Sequence, residues 1–324
     1  MRLVQFLQDE LQRRVGLVDG DRLRLIDGFT SVYDLAFSAI DNNTGLNQVI
    51  ERSVSDESVE YTDELMFLPA FDHPGERARL LVSGTGLTHR KSAQTRNSMH
   101  TGVQTITDSM RMYEWGVEGG RPAPGAIGTP PEWFYKGNGY VLRAHNEELQ
   151  IPAFADDGGD EAELAGCYVI DWSGTPRRIG LAVGNEFSDH VMERKNYLYL
   201  APSKLRQCAI GPELVVGAEF ENVRGAARIL RSGTAIWRKD LLTGEENMCH
   251  SLGNMEHHHF KYSAHRQPGD AHVHFFGAGA FSFGEISLED GDVMEIAFEG
   301  FGRPLRNEVR RERGEAPLIQ AVPL

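Results

Sequence analysis

Short apolar runs separated by polar turns dominate the chain and predict more strands than helices. Residues 2–6 and 14–18 have the composition of two short strands, which together predict an opening hairpin. Polar residues at 30–31 and 42–44 can cap two helices that follow the hairpin. This first part of the chain therefore reads as a small α+β module.

Strand-like runs continue beyond residue 80, and few long helical patterns interrupt them. Helical composition is clearest at residues 89–115 and 252–262. A doubly wound α/β sheet would need a helix between most strands, so this pattern argues against that architecture. We predict an α+β fold in which a small N-terminal α+β domain, residues 1–75, precedes a β-rich mixed roll, residues 76–324.

Composition and net charge indicate what kind of molecule the protein binds and where in the cell it is found. The 324 residues carry a formal net charge of −14, which argues against a nucleic-acid or anionic membrane surface and for a small-molecule partner. Three widely spaced cysteines without a C-x-x-C pair fit a reduced cytosolic protein. The N-terminal apolar run is broken by polar residues before a signal-peptide core forms, so we expect a cytoplasmic location.

Two carboxylates one residue apart are the first candidate for chemistry. In an extended strand residues i and i+2 point to the same side, so Glu161 and Glu163 can present their carboxylates to one point. Oxygen ligands without neighbouring Cys or His suit Mg²⁺, Mn²⁺ or Ca²⁺. Asp189, in the next strand-like run, offers a third carboxylate. The same spacing is common on solvated strand edges, so it does not decide the matter alone.

A histidine-rich segment offers an alternative metal site. Seven of the twelve histidines lie between His250 and His274, including a His-x-His pair at 272–274. That pair could begin a cupin-type site, but no Glu follows it within a few residues. The consecutive histidines 257–259 fall in a predicted helix, where neighbours diverge by about 100° and cannot all bind one ion. Packing or interface histidines are the default interpretation.

The order of motifs resembles the fumarylacetoacetate hydrolase superfamily. The chain supplies an E-x-E pair, an N-D-x-S-like segment, a following Lys with Gly-Pro, a G-D-x-x-x-x-x-x-E-G-x-G strand and a closing N-x-V. These motifs are Glu161-Ala162-Glu163, Gly184-Asn185-Glu186-Phe187-Ser188-Asp189, Lys204 with Gly211-Pro212, Gly291–Gly302 and Asn307-Glu308-Val309. Each motif is loose, but their shared order over roughly residues 80–310 is specific.

The resemblance implies a set of site residues. Glu161, Glu163 and Asp189 would bind Mg²⁺, with Mn²⁺ or Ca²⁺ as alternatives, and Lys204 would be a catalytic cation beside the substrate. Further implied positions are the F-x-K residue Lys136 at the pocket rim with its neighbour Tyr135, the catalytic candidate His89, and Ser92 and Ala278 on the substrate.

Two departures from the superfamily pattern favour a lyase. Hydrolytic members carry an H-x-x-E pair that activates water, but Ser92 stands where His89 would need its Glu. Ala278 stands where many members have the Thr of G-T-P. Segments such as Pro131–Gly137 and Phe281–Gly284 look most like a sugar-acid branch that includes 2-keto-3-deoxy-pentonate dehydratases.

The implied reaction is an elimination. Mg²⁺ would hold the C1 carboxylate and C2 carbonyl, a C3 proton and the C4 hydroxyl would leave, and 2-ketoglutarate semialdehyde would form. Lys204 is the first candidate for the base or for a fixed charge on the enolate, and His89 for the acid. The alternatives are an acylpyruvate-type hydrolase, a 2-keto-acid decarboxylase or a non-catalytic sugar-acid-binding protein. The resemblance also implies a homodimer.

Overall fold

The fold is seen in a computed structural model that describes residues 1–9, 12–90, 93–94 and 107–324. The strands are, in chain order, β1 (Arg2–Leu7), β2 (Arg13–Asp19), β3 (Arg22–Ile26), β4 (Val54–Glu60), β5 (Met66–Phe67), β6 (Leu80–Gly86), β7 (Glu132–Asn138), β8 (Leu142–Arg143), β9 (Leu149–Ile151), β10 (Ala162–Ile170), β11 (Pro176–Asn185), β12 (Cys208–Val215), β13 (Val223–Arg231), β14 (Thr234–Thr243), β15 (Ala271–Phe275), β16 (Val293–Phe298) and β17 (Leu305–Arg311).

Helices are short and lie between groups of strands. They are α1 (Val32–Asp41), α2 (Leu46–Ser53), α3 (Asp108–Gly119), α4 (His190–Lys195), α5 (Leu200–Lys204) and α6 (Leu252–Phe260). The Ser31 side chain accepts a hydrogen bond from the Asp34 backbone N–H and so begins α1, one of the two caps expected from the sequence. Among the described residues, no helix combines the length and apolar character needed to cross a membrane.

Two sheets organise the described part of the chain. The larger has twelve strands in the order β4-β3-β2-β1-β12-β11-β10-β15-β6-β7, with β5 added to β1 and β8 added to β12. The smaller has five strands in the order β14-β13-β16-β17-β9. Most neighbours are antiparallel, although β15 and β6 run parallel. The predicted β-rich α+β architecture is therefore confirmed.

The N-terminal strands are continuous with the rest of the large sheet. Strand β1 pairs with β12 through Arg2 opposite Val215 and Leu3 opposite Leu214. Helices α1 and α2 contribute to the same apolar core as β10, β12 and β15. The domain boundary that we placed after residue 75 stays a prediction, since one sheet spans both proposed parts.

Strand β10 brings the candidate site to the centre of the molecule. All nine of its residues are buried, because β11 and β15 cover its two edges and apolar cores pack on its side chains. Its two faces contribute to the two largest cores, with Leu164 in one and Ala165 in the other. Carboxylates at the beginning of this strand therefore lie in an apolar interior, where only paired or metal-bound charges are stable.

Candidate metal centre

Three buried glutamates converge where β10 begins and β11 ends. Glu161 immediately precedes β10, Glu163 lies within it, and Glu186 follows β11 directly. One carboxylate oxygen from each lies within 4.8 Å of the others, and none of the three residues is more than 5% exposed. The i, i+2 relation places the first two on one side, as expected from the sequence.

Two lysines neutralise part of this charge. The Lys204 ammonium lies 2.5 Å from Glu161 Oε1 and 2.5 Å from Glu186 Oε2, and 4.7 Å from the ring centre of Phe134. The Lys136 ammonium forms an ion pair with Glu186 and donates to the Phe187 carbonyl at 2.7 Å. Both lysine side chains are fully buried. Three carboxylates face two ammonium groups, so the cluster retains a formal negative charge.

Glu163 has a carboxylate oxygen available for a ligand. Its Oε2 accepts the backbone N–H of Gly277 at 2.7 Å, while its buried Oε1 has no hydrogen-bond partner. Burial, and then the charges of Glu186 and Glu161, raise the pKa of Glu163 well above its usual value. A divalent cation bound here would offset the free-energy cost of ionising Glu163 in a buried site, because it favours the charged carboxylate.

The donor set fits Mg²⁺ and related hard cations. Glu161, Glu163 and Glu186 offer only oxygen, which suits Mg²⁺, Mn²⁺ or Ca²⁺ better than Zn²⁺. The unpartnered oxygen of Glu163 and the uncompensated negative charge are the two features of this chain that favour a cation. The remaining coordination positions of Mg²⁺ are commonly filled by water or substrate oxygens.

The carboxylate of Asp189 lies in a different environment from the three glutamates. It accepts the Met192 backbone N–H at 2.9 Å and so begins α4. Its second oxygen accepts the Arg206 guanidinium at 3.0 Å and the Asp156 backbone N–H at 2.9 Å. Strand β11 ends at Asn185, so Asp189 is a helix cap and not a strand residue. This geometry favours Glu186 over Asp189 as the third metal ligand.

Strand alternation separates Lys136 from Tyr135. On β7, Phe134 and Lys136 are buried, whereas Tyr135 is 42% exposed. Because successive side chains point to opposite faces, only Lys136 reaches the glutamates. Lys136 therefore lies within the cluster and not at its rim, and Tyr135 points away from it.

Ala278, one of the expected substrate positions, lies in the turn that contacts Glu163. Ala278 is buried, and the next residue, Gly279, donates its N–H to the carbonyl of Ala162, which lies between Glu161 and Glu163. Gly277 has φ +102, and a Cβ there would lie 2.0 Å from Thr88 Oγ1. The close approach of this turn to Thr88 therefore requires glycine. Ser92 lies outside the described residues.

His89 is buried beside a cavity of about 860 Å³ that Gly279 and Arg224 also line. Its Nδ1 is 2.9 Å from Thr88 Oγ1 and its Nε2 is 3.1 Å from Thr243 Oγ1. Burial lowers the pKa of His89 to about 4, so the ring is neutral at pH 7. Among the described residues that line this cavity, Gly279 is hydrogen-bonded to Ala162 of β10, and none of the three glutamates is a lining residue.

The histidine-rich segment forms a separate buried network. His259 Nε2 is 3.0 Å from His272 Nδ1, and His274 contacts the hydroxyls of Ser83 and Thr85 at 2.8 and 2.7 Å. Within the described residues, the three glutamates are the one group whose ligand atoms converge as a metal would need. These histidines instead pack against one another, in keeping with the default interpretation.

Two residues of the site were not predicted from the sequence: Glu186, which belongs to the cluster, and His190, which contacts it. Glu186 stands at the second position of the N-D-x-S-like segment, so the motif contained the signal for a third carboxylate. His190 donates to Glu161 Oε1 at 3.0 Å. Nothing in the local sequence identifies this histidine, because its contact joins residues 29 apart in the chain.

Comparisons with known structures identify the fold. A hexagonal crystal form of 2-keto-3-deoxyarabinonate dehydratase matches with a TM-score of 0.71 and 17% identity, covering 97% of this chain and 100% of its own. A 2-keto-3-deoxy-D-arabinonate dehydratase complexed with magnesium and 2,5-dioxopentanoate gives 0.70 and 17% over the same coverage. A 5-carboxymethyl-2-hydroxymuconate delta-isomerase from Mycobacterium smegmatis gives 0.59 and 18%, covering 96% of this chain and 100% of its own. The predicted fumarylacetoacetate-hydrolase-like fold is confirmed.

Sequence comparison gives a shorter match. No family profile matches the chain. A probable 2-keto-3-deoxyxylonate dehydratase from Haloferax volcanii is 28% identical over 129 residues, which are 38% of this chain and 43% of that protein. The aligned part is thus less than half of either protein.

Proposed function

We propose that this protein is a divalent-metal-dependent hydro-lyase that dehydrates a 2-keto-3-deoxy pentonate to 2-ketoglutarate semialdehyde. The observation that carries the proposal is the buried triad of Glu161, Glu163 and Glu186, with one unpartnered oxygen and two lysines in contact. Similarity to dehydratases of 2-keto-3-deoxy pentonates in fold and in part of the sequence supports this choice of substrate.

The three glutamates would hold Mg²⁺ beside Lys204. Bound there, the ion would supply Lewis-acid polarisation of the keto-acid group of the substrate. Lys204 is fixed by two carboxylate contacts, which suits a stationary positive charge next to a developing enolate. Lys136 fixes Glu186 from the opposite side and so keeps the triad in place. The atoms balance when C3 loses a proton and C4 loses hydroxide, which together make water and leave a C3–C4 double bond. Loss of a proton from C5 and return of a proton to C3 then give the C4–C5 enol, which tautomerises to the C5 aldehyde.

The turn at Gly277 would set the position of the keto-acid. Its N–H is committed to Glu163, which holds the turn against the triad. Ala278 follows directly and offers no side-chain hydroxyl, so substrate contacts at this position would come from the backbone. The buried surroundings of the triad limit access of water, which suits an elimination that needs no attacking water.

His89 is the proposed acid for the departing hydroxide. This role requires a proton on a ring whose pKa is about 4, so a reaction that depends on it should be faster at acid pH. Full activity of His89→Gln at pH 7 would remove the residue from the mechanism. The same variant would retain Mg²⁺ binding, since the hydrogen bonds of His89 within the described residues are to Thr88 and Thr243.

A turnover assay tests the proposed reaction. The protein is incubated with Mg²⁺ and racemic 2-keto-3-deoxy-pentonate, and loss of substrate and formation of the semialdehyde are followed by chromatography. Glu163→Gln should abolish turnover, whereas Glu256→Gln, which alters a carboxylate bonded to Tyr168 and Arg178, should retain it. Absence of turnover by the unaltered protein, with rapid cleavage of acylpyruvates, would favour the hydrolase alternative.

We also propose a cytoplasmic homodimer. Leu198, Tyr199 and Leu205 are 83%, 48% and 49% exposed around α5, the helix that carries Lys204. Exposed apolar side chains grouped in one segment are typical of subunit contacts. Sedimentation analysis of the intact chain would test this, and a monomer at micromolar concentration would contradict it.

A further inference from the structure

We infer that His190 is a positioning residue of the candidate metal centre, held by the segment Phe281–Phe283 so that it orients the carboxylate of Glu161. The inference rests on the metal site of the proposed function but not on the identity of the substrate. It also gives a role to the F-S-F-G segment, which the proposed reaction leaves without one.

His190 is the first residue of α4 and is only 3% exposed. Its Nε2 donates to Glu161 Oε1 at 3.0 Å. The ring contacts two phenylalanines: the centre of Phe281 is 5.4 Å away at an interplanar angle of 21°, and that of Phe283 is 5.0 Å away at 34°. Two aromatic contacts thus restrict how the imidazole can tilt, and the hydrogen bond restricts its rotation.

The residue between the phenylalanines holds the chain next to Glu161. The backbone N–H of Ser282 donates to Asp160 Oδ1 at 3.1 Å, and the Ser282 hydroxyl donates to the same oxygen. Gly159 completes the arrangement, because a Cβ at this position would lie 2.4 Å from His190 Nδ1. One three-residue segment therefore fixes both the imidazole and the backbone that precedes the metal ligand.

The consequence for Glu161 is a fixed position of its Oε1 oxygen. His190 and Lys204 both donate to Oε1, from residues 29 and 43 positions away in the chain. A glutamate side chain that is ordered before the metal arrives does not lose rotamer freedom on binding. Removing a partner that orients a metal ligand typically weakens metal affinity 10–100-fold. We expect a loss in this range when the His190 donor is removed.

The test separates the hydrogen bond from ring packing. His190→Phe keeps an aromatic ring in contact with the phenylalanines but has no donor, while His190→Gln can return an N–H to Glu161. Mn²⁺ affinity is measured without substrate, from the electron paramagnetic resonance signal of the free ion during titration. We expect His190→Phe to bind Mn²⁺ at least tenfold more weakly than the unaltered protein, and His190→Gln to recover most of that loss.

Two outcomes would overturn the inference. One is an Mn²⁺ affinity of His190→Phe within twofold of the unaltered protein, and the other is an equal loss in His190→Phe and His190→Gln. If His190→Phe does not fold by circular dichroism, His190→Leu takes its place in the same comparison. His145→Phe, which alters a buried imidazole that contacts Phe67 and Arg306, controls for general packing and should bind Mn²⁺ normally.

The experiment also distinguishes the possible failures. If the unaltered protein does not bind Mn²⁺ or Mg²⁺, the metal site itself is wrong. If it binds the ion normally but does not dehydrate any keto-deoxy acid, the inference about His190 can still be measured and the proposed reaction alone fails.

Discussion

Protonation of the buried histidines should destabilise this protein at mildly acid pH. His272 and His274 are each 1% exposed, and burial, followed by the neighbouring imidazoles, lowers the pKa of each to about 3. His272 Nε2 has no hydrogen-bond partner, so no acceptor is in place to stabilise a proton on it. An unfolded histidine has a pKa near 6.5.

The sign of the effect follows from these values. Above pH 6.5 both imidazoles are neutral in the folded and the unfolded chain, so they make no pH-dependent contribution. Below pH 6.5 the unfolded chain binds protons that the folded chain accepts only near pH 3. Stability therefore falls by about 1.4 kcal/mol per pH unit for each histidine, or about 2.7 kcal/mol per histidine between pH 6.5 and 4.5.

A difference between variants isolates this contribution. Buried carboxylates such as Asp160 and Glu256 have raised pKa values and act in the opposite direction, so the pH profile of the unaltered protein alone is not informative. His274→Asn removes one titrating ring and keeps amide groups near Ser83 and Thr85. His257→Asn, on the exposed side of α6, is the matched control.

The assay is urea unfolding, followed by tryptophan fluorescence at pH 7.5, 5.5 and 4.5 without added metal. His274→Asn should be less stable than the unaltered protein at pH 7.5, because it loses packing. That deficit should shrink by about 2.7 kcal/mol at pH 4.5. A constant deficit across the three pH values would show that His274 does not stay neutral in the folded protein and would refute the reasoning.

Two further substitutions test the turn at the triad and the helix cap. Gly277→Ala should lower the free energy of unfolding in urea by about 1–3 kcal/mol and weaken Mg²⁺ binding, because its Cβ would meet Thr88 at positive φ. Gly284→Ala is the control, since it is also at positive φ but in open space, and it should leave Mg²⁺ binding unchanged. Equal effects of the two substitutions on Mg²⁺ binding would contradict the steric argument. Asp189→Asn should destabilise the fold through the lost charge partner of Arg206 yet keep Mg²⁺ affinity, whereas a loss of metal binding with normal stability would restore Asp189 as a ligand.

Features that depend on residue types and spacings within a short stretch of chain could be predicted from the sequence. The Ser31 cap of α1 and the pairing of Glu161 with Glu163 follow from spacing alone, and the structure contains both. Strand alternation could also have separated Tyr135 from Lys136, since adjacent strand residues do not face one pocket.

Other features depend on contacts that no local pattern contains. The third carboxylate depends on where β11 ends, and Glu186 and Asp189 are only three residues apart. The strand ends at Asn185, so Glu186 comes close to Glu161 and Glu163, and Asp189 begins α4. Lys136 is fully buried, although an isolated lysine in a sequence ordinarily predicts a surface charge. Burial of this kind follows from the ion pair with Glu186, which only the assembled sheet creates.

The charges around the triad also suggest how metal and substrate depend on each other. With all three glutamates ionised and His190 neutral, the three carboxylates and two ammonium groups leave one formal negative charge in a buried site, and Lys204 already bridges Glu161 and Glu186. A divalent cation alone would change this excess to one positive charge, which is again costly in an apolar interior. A keto-acid carboxylate would then restore neutrality. We therefore expect pyruvate or oxalate to tighten Mg²⁺ binding in calorimetric titrations. The control variant Glu256→Gln should show the same effect as the unaltered protein. Equal Mg²⁺ affinity with and without the acid would contradict this charge balance.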